Sequence, residues 1–169
     1  NGQAFVFDAT TGKELAQVES ERPVKTGCFG PDNEQLLVQR PSVDPTQTTF
    51  PDGRVRFSAA KKFEAALVHI ESGTTKWSFK MKGRNGSARL APNGKIAVVS
   101  SLLSKSSHDM VYVLDAANGK LLCEIQTGKL AAWGSGGKQV GLSKDGRLAL
   151  PLRDSSVIIW DLKELGGWK

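Results

Sequence analysis

The sequence repeats one pattern of apolar runs and turns three times, and this repetition limits the folds open to the chain more than any other feature. Each copy has an apolar run, a short polar turn and a second apolar run, with the turns at 29–33, 90–94 and 142–146. The last two turns contain Asn-Gly and Asp-Gly, pairs that tolerate positive φ and favour a tight connection between antiparallel strands. The first has Asp32-Asn33 in the same place. Each copy therefore predicts a β-hairpin.

A second element repeats between the hairpins. It is a strand rich in β-forming residues that ends in an acidic or polar turn, followed by Gly-Lys and another strand. Residues 4–15 align with residues 112–122, a looser copy covers 66–77, and 157–162 begins a fourth. Together the two elements predict a repeated all-β unit.

The spacing of this second element gives the length of the unit. Ile70 and Asp115 are 45 residues apart, and Asp115 and Asp161 are 46 residues apart, as expected of one four-stranded blade. Asp8 precedes Ile70 by 62 residues, so this unit carries an insertion of about 16 residues relative to that period. We place the insertion at 41–56, because its prolines cannot continue a central strand.

With the strands of a unit named a to d, the chain reads c-d, then a-b-c-d twice, then a-b-c. The predicted division is 1–20, 21–82 with the insertion, 83–128 and 129–169. This order predicts an all-β chain of antiparallel four-stranded blades, about three of them, forming part of a β-propeller ring. Strands c at 5–7 and 157–160 are apolar at successive positions, which predicts burial of both faces. Because rings usually have about four to eight blades, the remaining blades are expected from the parent chain or from self-association.

The repeats resemble those of the WD-repeat propellers. Trp160-Asp161 is the one literal Trp-Asp pair, and Phe7-Asp8 and Leu114-Asp115 are degenerate forms. Asp109 and Asp154 lie where this family has the acid of its b-to-c turn, whereas the Gly-His pair that usually precedes strand a is lacking. The resemblance implies a non-catalytic scaffold that binds proteins through its blade loops.

Residues 111–128 are also similar to the blade motif of quinoprotein dehydrogenases. That family usually has a tryptophan at the position of Cys123, and Trp77 occupies the corresponding place in the preceding repeat. This resemblance implies a quinone cofactor and a calcium site, but the stretch has no acidic cluster suited to calcium. We expect no cofactor. A part of a quinoprotein-like dehydrogenase, or a regulatory module of a larger enzyme, stays an alternative.

Charge is the most informative functional feature. Residues 54–95 contain ten basic and two acidic residues, a local net charge of +8 in a chain whose total is +6. Such a surface suits an acidic protein, a nucleic acid or an anionic membrane. A protein partner is preferred, because no motif for reading nucleic-acid grooves accompanies the charge. The candidate partner-binding residues are Lys76, Lys80, Lys82, Arg84, Arg54, Arg56 and Phe50.

A structural explanation of the lysines stays open beside the functional one. Lys76, Lys80 and Lys82 alternate with aromatic and apolar residues, which places them on one face of the outermost strand. Lysine on an edge strand protects against edge-to-edge pairing.

Catalysis and membrane insertion have little support in the sequence. The chain has only two histidines; His108 stands next to Asp109, but adjacent loop residues rarely converge on one substrate atom. The glycine-rich segment 134–138 lacks the residues of a phosphate loop and predicts a connection between strands. No apolar run is long enough to span a bilayer. Cys28 and Cys123 predict two buried, reduced thiols and hence a cytoplasmic location.

Overall fold

The computed structural model describes residues 2–20, 24–42, 47–57, 62–103, 108–128, 130 and 140–163. These ranges contain fifteen strands: β1 (Gly2–Phe7), β2 (Glu14–Ser20), β3 (Thr26–Phe29), β4 (Gln35–Pro41), β5 (Gln47–Thr49), β6 (Val55–Phe57), β7 (Lys62–His69), β8 (Thr75–Lys82), β9 (Arg84–Leu90), β10 (Ile96–Leu102), β11 (Asp109–Asp115), β12 (Leu121–Thr127), β13 (Gly141–Leu142), β14 (Arg147–Pro151) and β15 (Val157–Asp161).

The strands form antiparallel sheets in the predicted order. Two strands, β1 and β2, make the first sheet; β3-β4-β7-β8 make the second, β9-β10-β11-β12 the third, and β13-β14-β15 the fourth. A separate hairpin of β5 and β6 lies in the connection from β4 to β7. The prediction of antiparallel four-stranded sheets is confirmed.

The turn from strand a to strand b depends on one residue with positive φ in each of its three copies. Asn33, Gly94 and Gly146 hold this position, with φ of 58°, 70° and 92°. Asparagine tolerates this left-handed conformation better than most residues with a side chain. Asn33 therefore makes the hairpin that the other two copies make with glycine.

The hydrogen bonds of the turn from strand c to strand d show that the predicted alignment of the repeats is wrong by one residue at Ile70. The backbone N–H of Asp8, His69 and Asp115 each donates to the carbonyl oxygen five residues later, at 2.8, 2.9 and 2.8 Å. His69, and not Ile70, is therefore the equivalent of the two aspartates. With this alignment, 46 residues separate His69 from Asp115 and 46 separate Asp115 from Asp161.

The aspartate side chain stabilises this turn where it is present. The backbone N–H groups of Thr11 and Thr10 donate to Oδ1 of Asp8, each at 2.8 Å. These hydrogen bonds, that of Thr11 first, lower the pKa of the Asp8 carboxyl below its ordinary value of 3.8. Asp8 thus caps its turn in the charged form.

The core lies between the sheets, since successive residues of the inner strands point to opposite faces. On β7, Ala65 and Leu67 pack against the third sheet, whereas Ala66 and Val68 pack against the first. All four side chains are buried. Both faces of this strand are therefore covered, as predicted for stacked blades.

The prediction of two buried faces is wrong for the outermost sheets. Phe5 and Phe7 are 47% and 56% exposed, and Val157 and Ile159 are 58% and 67% exposed. Each of these sheets has a described neighbour on one face only. The burial of a blade face thus requires a next blade, and these two faces have none in the described part of the chain.

The two cysteines lie in different sheets. Cys28 is on β3 and Cys123 on β12, and each is a free thiol. Both are half-buried, so the prediction of full burial is wrong. Outer and inner edge strands cover a side chain on fewer sides than a central strand does.

Candidate interaction surface

The lysine strand, β8, is the outer edge of the second sheet. Lys76, Lys80 and Lys82 are exposed, whereas Trp77 and Met81 are buried against the third sheet. The strand therefore presents its charges on one face and anchors itself with the other, as the alternation of the sequence predicted.

The neighbouring strand does not neutralise these lysines. Lys82 lies directly opposite Lys62, and Lys80 directly opposite Glu64. The Glu64 carboxylate is buried and accepts a hydrogen bond from Nε of Arg40 at 2.8 Å. Among the residues that the structure describes, no carboxylate lies within ion-pair distance of Lys76, Lys80 or Lys82.

The other candidate residues lie near the end of the second sheet at which β8 ends with Lys82. Arg84 begins β9 and is exposed. The insertion hairpin leaves from this same end, because the b-to-c and d-to-a connections of a four-stranded antiparallel sheet share one end. Phe50 on this hairpin is 41% exposed.

Arg54 and Arg56 contribute differently from the lysines. Arg54 is paired with Asp52, Nη2 to Oδ2 at 2.6 Å. Its guanidinium, followed by its backbone N–H, lowers the pKa of Asp52, which stays charged beside it. The side chain of Arg56 lies outside the described residues. The cationic surface therefore centres on the lysine strand rather than on the hairpin.

Trp77 fixes the lysine strand against the third sheet. Its Nε1 donates to the carbonyl oxygen of Ala116 at 2.8 Å. Its ring packs so closely on Gly119 that a Cβ there would lie 2.8 Å from Cδ2. Gly119 also has a φ of 74°. Sequence reasoning found Trp77 from its motif but not the turn that receives it, which belongs to the next repeat.

A shallow groove of about 340 Å³ lies beside the other end of the lysine strand. It is lined by Gln35, His69, Ser72, Thr74 and Lys76. Sequence reasoning missed this groove and placed His69 only within a strand pattern. The alignment of His69 with Asp8 and Asp115 could have indicated this groove. The sequence alignment placed Ile70 at that position instead, one residue too late.

Two aspartates that the sequence singled out have structural contacts within their own sheets. The Asp109 carboxylate is buried and accepts the backbone N–H of Leu103 at 3.0 Å and that of Leu130 at 3.1 Å. It therefore holds the b-to-c and d-to-a connections of its sheet together. Asp154 is exposed and binds Ser156 in its own turn. The segment 134–138 lies outside the described residues.

Metal ligands and membrane spans are likewise not found in the described ranges. These ranges hold no group of three or more His, Cys, Asp or Glu side chains that could bind a metal ion. They also contain no helix of the length and hydropathy needed to cross a bilayer.

Comparison with known proteins identifies the architecture. An acylaminoacyl peptidase of Pyrococcus horikoshii matches 94% of this chain at 16% identity, with a TM-score of 0.59. The Dos1 propeller matches 93% at 14% identity, with a TM-score of 0.58. The tricorn protease matches 96% at 14% identity, with a TM-score of 0.53. The chain has the β-propeller fold.

At these identities the likeness shows the β-propeller fold alone, and the predicted fold class is confirmed. The match covers 27% of the peptidase, 35% of the Dos1 propeller and 18% of the tricorn protease. The chain therefore spans about a third or less of each of these three structures. No protein-family model matches the sequence, and no curated protein matches it.

Proposed function

We propose that this propeller segment is a non-catalytic protein-interaction scaffold of the WD-repeat kind, and that its lysine strand binds an acidic protein surface. The observation that carries the proposal is the row Lys76, Lys80 and Lys82, exposed on a sheet edge with no described carboxylate in ion-pair range. Such a row attracts an acidic partner over a Debye length of about 8 Å at physiological salt.

The pairing across the sheet supports binding over edge protection. Lysines on the outer strand alone would protect the edge. Lys62 adds a second positive charge directly opposite Lys82, and like charges at this spacing destabilise a sheet. An acidic partner would relieve this repulsion between Lys62 and Lys82. Edge protection alone does not require the second lysine.

The anchoring of the strand also favours recognition. Trp77 and Met81 are buried beneath the lysines, so the backbone of β8 loses little freedom when a partner binds. Surfaces ordered in advance bind with a smaller entropic cost. The lysine side chains alone need to become ordered.

The test compares two double substitutions that change the net charge equally. Lys80→Glu with Lys82→Glu reverses charge on the lysine strand, and Lys13→Glu with Lys120→Glu reverses charge at exposed turns of the first and third sheets. We expect the first pair to weaken the binding of a labelled deca-glutamate peptide by about tenfold or more, and the second to change it by less than about twofold.

Interaction proteomics of the full-length protein with the same variants supplies the second readout. Partners lost with the first pair and kept with the second support the proposal. Equal retention by both pairs contradicts it. Displacement of the peptide by duplex DNA, with no protein partner lost, would assign the surface to nucleic acid instead.

One observation favours a second candidate function. Trp77 is seated on the Ala116–Gly119 turn of the next sheet, and the motif that contains it is similar to that of quinoprotein dehydrogenases. We propose membership in such an enzyme as the alternative. Dye-linked substrate oxidation and quinone absorbance in the complete protein would support it, and the lack of both would remove it.

A further inference from the structure

The turn between β7 and β8 begins with a different residue from its two equivalent turns. The turn itself does not require this residue. Asp8 and Asp115 begin the equivalent turns, and His69 begins this one. Nδ1 of His69 accepts the backbone N–H of Ser72 at 3.5 Å, as Oδ1 of Asp8 accepts the N–H of Thr11, also three residues on. The histidine therefore repeats the capping role of aspartate.

The two side chains differ in what they present outwards. The backbone N–H of Ser72 can only donate, and the Ser72 hydroxyl lies 3.3 Å from the same Nδ1. With Nδ1 as the acceptor, the neutral ring carries its proton on Nε2. An aspartate in this position presents a negative oxygen beyond the turn. His69 presents an N–H donor.

A second position changes in the same direction. Lys76 lies seven residues after His69, where the equivalent turns of Asp8 and Asp115 are followed by Leu15 and Leu122. Lys76 and His69 line the same groove, and its other lining residues are neutral and polar. Blade folding is compatible with aspartate and leucine, since two other sheets use them. The turn itself therefore does not require histidine or lysine at these two positions.

We propose that this groove binds the carboxylate of an acidic side chain carried by the protein partner. Nε2–H of His69 and the Lys76 ammonium would donate charge-assisted hydrogen bonds to the two carboxylate oxygens. Phosphate sites usually add an arginine fork, and no arginine is among the described residues that line this groove. The inference rests on the proposed function, since the partner that follows the lysine strand would bring the carboxylate with it.

The experiment uses the same labelled deca-glutamate peptide and three single substitutions. His69→Asp restores the cap found twice in this chain, and Lys76→Leu restores the residue that follows those caps. Lys144→Leu, at an exposed turn, removes the same charge from the fourth sheet, which packs against the third sheet. We expect each of the first two to weaken binding on the order of tenfold, and the third by less than about twofold.

Two further measurements separate a binding role from a structural one. The melting temperature of His69→Asp is expected to equal that of the unchanged chain, because the cap is retained. The imidazole ¹⁵N spectrum is expected to show the Nε2–H tautomer, with the Nε2 signal moving as peptide is added. A melting temperature lowered together with affinity, or an unmoved Nε2 signal, would overturn the proposal.

The outcomes also distinguish this proposal from the proposed function. Loss of binding with Lys80→Glu and Lys82→Glu, but not with His69→Asp or Lys76→Leu, overturns the carboxylate site and leaves the lysine strand. The reverse pattern supports the carboxylate site and contradicts binding by the lysine strand. Undetectable peptide binding, or displacement by inorganic phosphate at lower concentration than by acetate, overturns the site.

Discussion

Gln39 lies on β4 with its side chain fully buried, and its amide binds three backbone groups of the next sheet. Nε2 donates to the carbonyl oxygens of Ser87 at 3.1 Å and Ser100 at 3.2 Å, and Oε1 accepts the N–H of Gly86 at 3.1 Å. The β9–β10 pairing is irregular here, so that Gly86 and Ser87 oppose Ser100 alone. The amide of Gln39 therefore satisfies the groups that this bulge leaves unpaired.

Gln39→Leu is predicted to destabilise the chain strongly, because leucine fills a similar volume but can bind none of the three groups. Three lost hydrogen bonds at about 1 kcal/mol each, with an additional desolvation penalty for the buried N–H, give a loss of about 3–5 kcal/mol. Urea unfolding followed by tryptophan fluorescence and circular dichroism measures this loss as a change in midpoint with an unchanged slope.

The matched control for Gln39→Leu is Gln17→Leu, the same exchange at an exposed position of β2. We expect the control to change the free energy of unfolding by less than about 0.5 kcal/mol. Equal effects of the two substitutions would show that the amide of Gln39 is not needed at the bulge.

Two further predictions concern the c-to-d turns. Gly119→Ala is expected to lower the free energy of unfolding by about 2–4 kcal/mol, because it combines positive-φ strain with a clash on Trp77. The control Gly12→Ala has the same strain, with a φ of 68° and nothing within 4 Å of the added Cβ, and is expected to lose only about 1 kcal/mol in denaturant titrations; equal losses would argue against the Trp77 contact. The carboxyl of Asp8 is expected to titrate below 3.8 in ¹³C NMR spectra. Because its folded pKa is lowered, its contribution to stability is present above the unfolded pKa and is lost as the pH falls through the folded value. Asp8→Asn should therefore make the acid-induced fall in stability shallower, and an unchanged pH profile would contradict this.

Local patterns in the sequence were sufficient for the strands and their order. Alternation and apolar runs identified β7, β8, β10 and β11, and turn chemistry placed the hairpins, including the one at Asn33. These signals depend on steric preferences within a few residues. For the same reason, the lysine face of β8 followed from the sequence.

Local patterns did not place the candidate groove. The equivalence of His69 with Asp8 and Asp115 follows only from the backbone hydrogen bonds that close the three turns. The sequence of the His69 turn shares only its glycine with the other two turns. The groove also requires Gln35, which is brought beside His69 by the β4–β7 register. A register between strands far apart in the chain is set by the assembled sheet.

The repeat, its approximate length, the strand alternation and the basic segment can all be read from the sequence, since they arise between residues near one another. Which faces of the sheets are covered depends on how the sheets pack. Phe5 and Ile159 have the sequence pattern of core residues and are exposed, while Gln39 has the pattern of a polar residue and is fully buried. The physical reason is that burial depends on a neighbouring sheet, and the hydrogen bonds that make a buried amide stable come from a different repeat.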